Sequence, residues 1–469
     1  MARARHATRP DKEHRHERLQ GPEAQRRPAV GALSAGAVLV GLALGVSDGT
    51  YDPFALALMT LAVALVALGF TDPVIRIHAR APWLATAVFA VSLAASFAFD
   101  AVVLPGWAAD PARLGGFRPI LGACAVLIAT HAWRGAPGPL ARLRWPLVLA
   151  LWLALAVLVL RASPHPGIDC WVLQQRGSSA LAHGWNPYAL AYPNPYPPGS
   201  PYLVPEALSP DGRAILVYPY PPLVAILEIP AVLVGDVRWV MVVAIAVAAS
   251  LVRVLGGRTR LAELAASFVL FQPRTLLVAE ATWTEPVLLA AVLTLAWSLE
   301  TARGARAWVL PGLAAGVAVG VKQYGFLLLL PFWGTASREA RWRIAGLAAA
   351  LAVTIYAPFV LWDAAALWRG VVWFQVAQPF RWDALSWSAA IARAGGPTLS
   401  PVPALVGGLL LAVWAAARTR AVHVALAMAA LAWLVVVLAN KQAFCNYYWL
   451  AAGLLAAAAA VASRGANIA

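Results

Sequence analysis

The sequence predicts an all-α, polytopic membrane protein, and three observations support that prediction. Hydrophobic residues fill 61% of the 469 positions and charged residues only 12%. The mean hydropathy is +0.71, whereas a soluble chain of this size needs a far more polar surface. Apolar runs long enough to cross a bilayer recur along the chain, and they are continuous rather than alternating, which excludes a transmembrane β-barrel.

The apolar runs predict about 14 membrane-spanning helices, with about 12 to 14 as the expected range. Before a long polar loop, the predicted spans lie near residues 30–47, 54–71, 82–99, 117–133 and 144–161. After that loop they lie near 238–255, 262–278, 286–302, 307–321, 323–336, 344–362, 401–417, 421–439 and 447–463. The stretch 221–234 is too short to cross and contains Pro230, so we expect Pro230 to break it and leave a half-helix.

The net charge of +15 raises the question of a nucleic-acid partner, but the placement of the charges argues against one. The first 29 residues hold eight Lys or Arg and four acids, with no aromatic residue. Such a segment is typical of a basic cytoplasmic tail beside anionic membrane lipid. We therefore predict membrane lipid, and no nucleic acid, as the partner of this tail.

The arginines then predict the topology, because cytoplasmic loops of membrane proteins are rich in Lys and Arg. With the tail inside, every short inner loop is basic: Arg76 and Arg80; Arg134, Arg142 and Arg144; Arg253, Arg258 and Arg260; Arg303 and Arg306; Arg338, Arg341 and Arg343; Arg418 and Arg420. Most of the acids fall in the outer segments. We expect a multi-pass protein of the plasma membrane whose long loop, residues 161–221, is extracytoplasmic.

Asp169, near the start of that loop, is the candidate catalytic residue. A carboxylate at the membrane surface can act as a general base that takes the proton of an attacking hydroxyl. The alternative interpretation is an N-cap, because an Asp directly before a short helical sequence stabilises the helix start. The two roles are compatible, since capping would fix the position of the carboxylate.

Further substrate-binding candidates lie in the same loop. The sequence Gly184-Trp185-Asn186-Pro187-Tyr188 predicts a rigid aromatic turn on which a sugar ring can stack, with Asn186 and Tyr188 as contacts. Tyr220 lies where the chain re-enters the membrane. Turn formation and an interfacial aromatic belt are the alternative interpretations of these residues.

Lys322 interrupts an apolar region, and charge at membrane depth marks a candidate functional site. Gly320 and Gly325 flank it and allow a break in the helix. A lysine in this place suits a phosphate group, and Gln323 and Tyr324 add hydrogen-bonding groups. The alternative is a lysine at a helix end whose amine reaches the interface.

Two other clusters complete the set of candidates. Glu280 and Glu285 form an acidic pair on the outer side, which is predicted either to orient a hydroxyl-rich ligand or to pair with Arg274. The segment 440–449 between the last two spans is unusually polar. It contributes Lys441 as a second phosphate candidate, with Asn446 and Tyr447 as further contacts, and an aromatic-belt turn is the alternative.

The domain organisation follows from these positions. Residues 30–143 carry few aromatic residues, which indicates an accessory or scaffolding set of spans, whereas residues 144–469 contain the candidate site. The outer segment 362–401 is again rich in Trp and is expected to be largely non-helical. No nucleotide-binding loop, catalytic triad or zinc spacing is found, so we predict neither a cofactor nor a metal. A lipid-linked donor fits an enzyme that faces away from cytoplasmic nucleotides.

At these residues the chain resembles the C-superfamily (GT-C) of integral-membrane glycosyltransferases, and most of all family 87, the polyprenol-phosphate-mannose-dependent group. The resemblance rests on the order of five elements between about residues 145 and 460: Asp169, Gly184–Tyr188, Tyr220-Pro221-Pro222 leading to Pro230, Lys322, and Lys441–Tyr448. Two departures leave the sugar and the acceptor open. Four spans precede the one that leads to Asp169, where the family usually has one, and Thr282-Trp283-Thr284-Glu285 stands where many relatives carry a Gly-Gln-x-Asn-like element.

The resemblance implies a GT-C fold and transfer of a sugar, expected to be mannose, with inversion. It implies a polyprenyl-phosphate sugar as the donor and Asp169 as the base. Lysine or arginine groups would neutralise the lipid phosphate, and the acceptor would be a glycolipid, glycan or glycoprotein. A transporter or lipid flippase is the main alternative, because broken helices with a central charge also suit transport. A structural membrane protein is the third, and it leaves the cost of burying Lys322 unexplained.

Overall fold

The computed structural model describes residues 29–71, 82–103, 106–134, 140–197, 199–200, 202–215 and 218–464. Of the described residues, 75% are helical, and they include one two-stranded sheet, which confirms the all-α class. The predicted tail at residues 1–28 lies outside the described residues, and so do Arg76 and Arg80 of the first predicted inner loop.

The helices that precede the long loop begin and end within a few residues of the predicted spans. They are α1 (Val30–Ser47), α2 (Pro53–Thr71), α3 (Pro82–Val102), α4 (Phe117–Arg134) and α5 (Leu140–Ala162). Prolines open α2 and α3, where a missing backbone N–H costs nothing.

The loop contains more regular structure than its composition indicates. It holds α6 (Asp169–Ala182), β1 (Ala191–Tyr192) and β2 (Ala214–Ile215), and the two strands pair antiparallel with Ala191 opposite Ile215. Two 3₁₀ turns, Pro187–Ala189 and Pro205–Ala207, connect these elements.

The second half of the chain is again helical. Its elements are α7 (Pro222–Leu233), α8 (Arg238–Leu255), α9 (Arg260–Phe271), α10 (Thr275–Glu280), α11 (Glu285–Thr301), α12 (Val309–Val321), α13 (Gly325–Leu329), α14 (Arg338–Trp368), α15 (Phe374–Ala377), α16 (Trp387–Arg393), α17 (Val402–Arg418), α18 (Val422–Leu438) and α19 (Cys445–Ser463).

The predicted count of about 14 spans is not confirmed. Within the described residues, eight helices are long and apolar enough to cross a membrane: α1, α2, α3, α4, α5, α8, α14 and α19. Several apolar runs are divided by turns that hydropathy does not reveal. The span predicted near 262–278 is split between α9 and α10, because Arg274 adopts a left-handed conformation with φ 71°.

Two predictions about local structure were wrong. Pro230 does not break α7, because the helix continues through it to Leu233, although its 12 residues remain too few to cross. The segment 362–401 is not largely non-helical either, since α14 continues to Trp368 and a π-helical turn, Arg369–Trp373, leads into α15. Asp363, with φ −163° and ψ 91°, absorbs a kink within α14.

The helices before and after the loop form one packed core. Helix α1 packs against both α2 and the last helix, α19, and α9 packs against α19 as well. Arg274 pairs with Asp48 at the end of α1, and Thr50 forms a β-bridge with Ala384. The first helices therefore support the region that carries the candidate site. By contrast, α14 turns many apolar side chains outward, such as Leu361 at 87% exposure, as expected of a lipid-facing helix.

Candidate functional site

Asp169 begins α6, seven residues after the end of α5. The prediction that it is the N-cap was wrong by one position, because Ile168 occupies the cap and Asp169 is the first helical residue. Its Oδ1 accepts hydrogen bonds from the backbone N–H of Cys170 and from the hydroxyl of Tyr196, both at 2.8 Å. No N–H or O–H group of a described residue donates to Oδ2, so one oxygen fixes the carboxylate and the other can accept a further hydrogen bond.

Tyr196 is a site residue that sequence reasoning missed. Burial raises the pKa of Tyr196, and the charge of Asp169 raises it further, so the phenol stays protonated and donates. Its ring packs against Tyr202 at 4.7 Å between centroids. The available signal was a repeated motif, since Asn194-Pro195-Tyr196 follows Asn186-Pro187-Tyr188 by eight residues.

The two Asn-Pro-Tyr motifs make the same local turn. In each, the asparagine Oδ1 accepts from the tyrosine backbone N–H, at 3.0 Å in both. Tyr188 is 1% exposed, and its hydroxyl donates to the carbonyl of Tyr220 at 2.6 Å. Asn186 and Tyr188 thus hold the loop in place, and Tyr188 offers no open face for a sugar ring.

Lys322 lies at a break in the helical backbone, as predicted. Helix α12 ends at Val321, Lys322 is extended with φ −147° and ψ 136°, and α13 starts at Gly325. The Lys322 Nζ lies 2.9 Å from Oε1 of Glu285, which is fully buried in the first turn of α11. The hydroxyl of Tyr324 donates to the same oxygen at 2.5 Å. The other oxygen, Oε2, is buried and has no hydrogen-bond partner in the described part of the chain.

Tyr220 joins Asp169 to the Lys322–Glu285 pair. The Lys322 amine lies 5.8 Å from the centre of the Tyr220 ring. Burial raises the pKa of Tyr220 well above its usual value, and the nearby Asp169 and Glu285 charges raise it further. Burial likewise raises the pKa of Cys170, with Asp169 adding to the shift and Lys322 opposing it. Asp169 and Lys322 therefore lie near both Tyr220 and Cys170, and Glu285 lies near Tyr220.

The start of α19 closes this cluster. Asn446 is 4% exposed and its side chain interacts with Glu285. The Tyr447 ring packs edge-on against Tyr324, with 6.1 Å between the ring centres. The Tyr324 ring stacks on Trp433 at 4.1 Å between centroids. Together these side chains form the Asp169–Lys322 site, which consists of Asp169, Cys170, Tyr220, Glu285, Lys322, Tyr324, Asn446 and Tyr447.

Gln323 and Lys441, predicted as substrate contacts, hydrogen-bond to the surrounding backbone instead. Gln323 donates from its amide to the carbonyls of Pro219 and Val371, at 3.0 and 3.1 Å. Lys441 donates from Nζ to the carbonyls of Val376, at 2.9 Å, and Gln378, at 2.5 Å. Burial lowers the pKa of Lys441. These side chains hold the two turns that flank the site.

The predicted grouping of Glu280, Glu285 and Arg274 was wrong. Glu280 is buried, but its Oε1 accepts from the backbone N–H of Trp107 at 2.9 Å. The guanidinium of Arg274 pairs with Asp48 and lies 4.8 Å from the centre of the Phe99 ring. Both residues thus connect α10 to the N-terminal part of the fold, whereas Glu285 alone belongs to the Asp169–Lys322 site.

Arg369 is a second residue that sequence reasoning missed. It starts the π-helical turn that packs on the main chain of Tyr218 and supplies the Val371 carbonyl to Gln323. Its Nε is buried without a hydrogen-bond partner, and no described carboxylate pairs with it. The signal was an arginine within the outer aromatic segment, without an acid in the five residues on either side.

The site thus combines a fixed carboxylate with one free oxygen, a buried ion pair and several aromatic rings. Such a set can take a proton from a hydroxyl and bind a polar, partly anionic ligand. No protein-family model, no curated protein and no solved structure matches this chain. Its function is therefore inferred from the geometry of its own residues.

Proposed function

We propose that this protein is an integral-membrane glycosyltransferase. It transfers a sugar, with mannose as the first candidate, from a polyprenyl-phosphate donor to a hydroxyl group of an extracytoplasmic glycolipid, glycan or glycoprotein. The observation that carries the proposal is the meeting of the Asp169 carboxylate and the Lys322–Glu285 pair around Tyr220. A general base and a cation on a shared aromatic surface, next to membrane helices, match the needs of this reaction.

The chemical step is a single displacement. The acceptor hydroxyl oxygen forms a bond to the anomeric carbon of the sugar, and its proton passes to Oδ2 of Asp169. The bond between that carbon and the phosphate oxygen breaks, and its electron pair leaves with the polyprenyl phosphate. Because Oδ1 is held by Tyr196 and Cys170, the free oxygen has a fixed direction before the acceptor arrives.

The charges of the site set a condition on this step. With both carboxylates ionised and the Lys322 amine protonated, the site has one more negative than positive charge. Additional positive charge has to meet the departing phosphate, because stabilising the developing charge is usually the largest catalytic term. Lys322 supplies part of it by turning from Glu285 to the phosphate, and Arg369, on the π-helical turn that Gln323 binds, is the candidate for a second cation.

Glu285 has a further part in donor binding. Its Oε2 is buried and has no partner within the described residues. An unsatisfied buried acceptor is costly, and a sugar hydroxyl that donates to it removes that cost. This arrangement favours a ligand rich in hydroxyl groups over a plain lipid.

The direct test compares Asp169→Asn with Asp211→Asn, which alters an exposed aspartate of the same loop. Each purified protein is incubated with acceptor-containing membranes and radiolabelled polyprenyl-phosphate mannose. We expect wild type and Asp211→Asn to form labelled product, and Asp169→Asn to lose it while keeping its helical circular dichroism. Equal product from Asp169→Asn and wild type would remove Asp169 from the mechanism.

Transport of a lipid or small molecule is the second candidate function, and one observation favours it. The backbone is broken at Lys322 beside a buried carboxylate, an arrangement that also suits ion-coupled transport. The two functions differ in their products. Movement of labelled donor across proteoliposomes without any labelled acceptor would favour transport, whereas labelled acceptor that depends on Asp169 would favour the transferase.

A further inference from the structure

Arg381 is a charged residue that the mechanism proposed above does not use. It lies in the segment between α15 and α16, and its side chain is only 15% exposed. Its guanidinium carbon lies 4.4 Å from the centre of the Tyr202 ring and 4.7 Å from the centre of the Phe444 ring. Both distances are well within the range of a cation–π interaction. Arg381 therefore links two aromatic residues that are far apart in sequence.

The Arg381 guanidinium has a fixed position and direction. Its Nε donates to Oδ1 of Asp383 at 2.8 Å, and its Nη2 donates to Oδ2 at 2.6 Å. Such a two-point contact orients the planar guanidinium. The backbone N–H of Arg381 donates to the carbonyl of Lys441 at 3.1 Å, and that of Leu385 donates to the carbonyl of Ala443 at 3.0 Å. The main chain of Arg381 is thus attached to the segment directly before α19.

The Tyr202 ring packs beside the residue that holds the proposed base. Its centre lies 4.7 Å from the centre of the Tyr196 ring. The Tyr196 hydroxyl donates to Oδ1 of Asp169 at 2.8 Å and accepts from the Asp169 backbone N–H at 3.2 Å. Tyr196 thus holds both the side chain and the main chain of Asp169. A shift of Tyr202 would therefore disturb the residue that fixes the carboxylate.

The Phe444 ring belongs to the other part of the site. Phe444 is the N-cap of α19, and Asn446 in the first turn of that helix interacts with Glu285. Arg381 therefore joins the loop that carries Tyr196 to the helix that contacts the Lys322–Glu285 pair. The contacts run from α19 through Arg381 and the two tyrosines to Asp169.

We propose that Arg381 is a positioning residue for Asp169 and acts through Tyr202 and Tyr196. It keeps the carboxylate at a fixed place relative to the start of α19. Asp383 pairs with the Arg381 charge and occupies two of its N–H donors, so Arg381 suits this role better than binding of the donor phosphate. The effect on sugar transfer rests on the proposed function, whereas the effect on the structure around Asp169 does not.

Hydrogen–deuterium exchange tests these contacts without any assumption about activity. The full chain is purified in detergent as wild type, Arg381→Gln, Tyr202→Leu and Arg393→Gln. Tyr202→Leu interrupts the same contacts at an exposed position, which gives a second variant if Arg381→Gln folds poorly. Arg393 is the matched control, because it is an exposed arginine whose guanidinium carbon lies 4.5 Å from the centre of a different ring, that of Tyr51.

The peptide that covers Asp169 and Cys170 gives the readout. The N–H of Asp169 donates to Tyr196, and the N–H of Cys170 donates to the Asp169 carboxylate, so both amides report on the position of these groups. We expect Arg381→Gln and Tyr202→Leu to speed exchange there by about tenfold, the effect of losing one cation–π contact, and Arg393→Gln to match wild type. Equal exchange in all four proteins overturns the proposal.

The kinetics of transfer test whether this placement matters for the reaction. We expect Arg381→Gln to lower kcat by about tenfold to a hundredfold with the KM for the donor unchanged, because a misplacement of about 1 Å can slow a reaction about a hundredfold. Arg381→Lys keeps the charge but lacks the planar fork that binds Asp383, so it should restore little of the rate. In a Tyr196→Phe background, Arg381→Gln should lower kcat no further, because the final link to Asp169 is already cut.

The outcomes separate this proposal from the proposed function. The same loss of kcat in the Tyr196→Phe background as in wild type, or a loss seen mainly as a higher KM, means that Arg381 acts by another route and overturns the proposal. If wild type forms no product while exchange near Asp169 rises in Arg381→Gln, the proposed transfer fails and the positioning of Asp169 by Arg381 stands.

Discussion

The buried ion pair between Lys322 and Glu285 allows a sharp test of the structure. Glu285 is fully buried and the Lys322 side chain is 12% exposed, so solvent screens the pair very little. Glu285→Gln leaves the lysine charge without its carboxylate partner but keeps an oxygen that accepts from Tyr324. The perturbation therefore isolates the ionic part of the interaction.

The expected magnitude follows from the burial. Removing one partner of a buried pair costs about 3 to 5 kcal/mol, because the other charge stays uncompensated. We expect about 3 kcal/mol for Glu285→Gln, at the lower end of that range, because Lys322 retains partial access to solvent. Lys322→Met should cost less, about 2 kcal/mol, since an orphaned buried carboxyl takes up a proton instead of staying charged.

The assay is a double-mutant cycle on the free energy of unfolding. Wild type, both single variants and the double variant are unfolded in mixed micelles by increasing dodecyl sulfate, and helix content is followed by circular dichroism. The double variant replaces the pair by uncharged groups, so we expect it to cost about 2 kcal/mol, with a coupling energy of about 3 kcal/mol. Glu339→Gln is the matched control, because its partner Arg343 and the glutamate itself are 51% and 77% exposed. That change should cost less than about 0.5 kcal/mol.

Two results would refute this reasoning. Equal destabilisation by Glu285→Gln and Glu339→Gln would mean that burial does not strengthen the Lys322 pair. A double variant whose cost equals the sum of the two single costs would mean that the two side chains do not interact in the folded protein.

Three further predictions follow from the packing around the site. Gly325→Ala should destabilise the protein by about 3 kcal/mol or more in the same unfolding assay, because the new Cβ would lie 2.1 Å from a main-chain oxygen of α12. The control is Gly346→Ala, which has open space around it and should be neutral or slightly stabilising. Gln323→Leu should cost about 1 to 3 kcal/mol and increase hydrogen exchange in the turns it holds, since two main-chain carbonyls lose their donor. Burial raises the pKa of Asp383, but the hydrogen bond and charge of Arg381 bring it below the usual value. The ionised Asp383 therefore stabilises the folded protein fully above the unfolded pKa of 3.8, and this stabilisation is lost as the pH falls through the folded pKa. Asp383→Asn should therefore lose less stability than wild type when the pH falls from about 4 to about 2.

The sequence predicted the members of the site better than their partners. Lys322, Tyr324, Asn446 and Tyr447 stood out because polar groups in an apolar chain are costly, and all four lie together in the structure. Which carboxylate meets which cation was not predictable, because that depends on contacts between distant segments. Arg274 pairs with Asp48, which lies 226 residues away in sequence.

The number of spans is not confirmed for a related reason. Hydropathy records that a segment is apolar but not where its backbone hydrogen bonds stop. The break at Lys322 was foreseen from the flanking glycines, whereas the left-handed residue Arg274 is not glycine and gave no such signal. Tyr196 was missed because an aromatic residue in a loop has many ordinary explanations, and its bond to Asp169 joins residues 27 positions apart.

The interactions of Glu285 decide whether Lys322 can exchange partners during the proposed transfer. When Lys322 turns to the donor phosphate, Glu285 loses an ionic partner in a buried place, which is costly unless other donors remain. Tyr324 already donates to Oε1, Asn446 is in contact, and Oε2 is free to accept a sugar hydroxyl. The carboxylate thus stays solvated by fixed donors after the exchange. Under the proposed function, Tyr324→Phe should slow transfer more than it destabilises the resting protein, because its hydroxyl matters most once Lys322 has left.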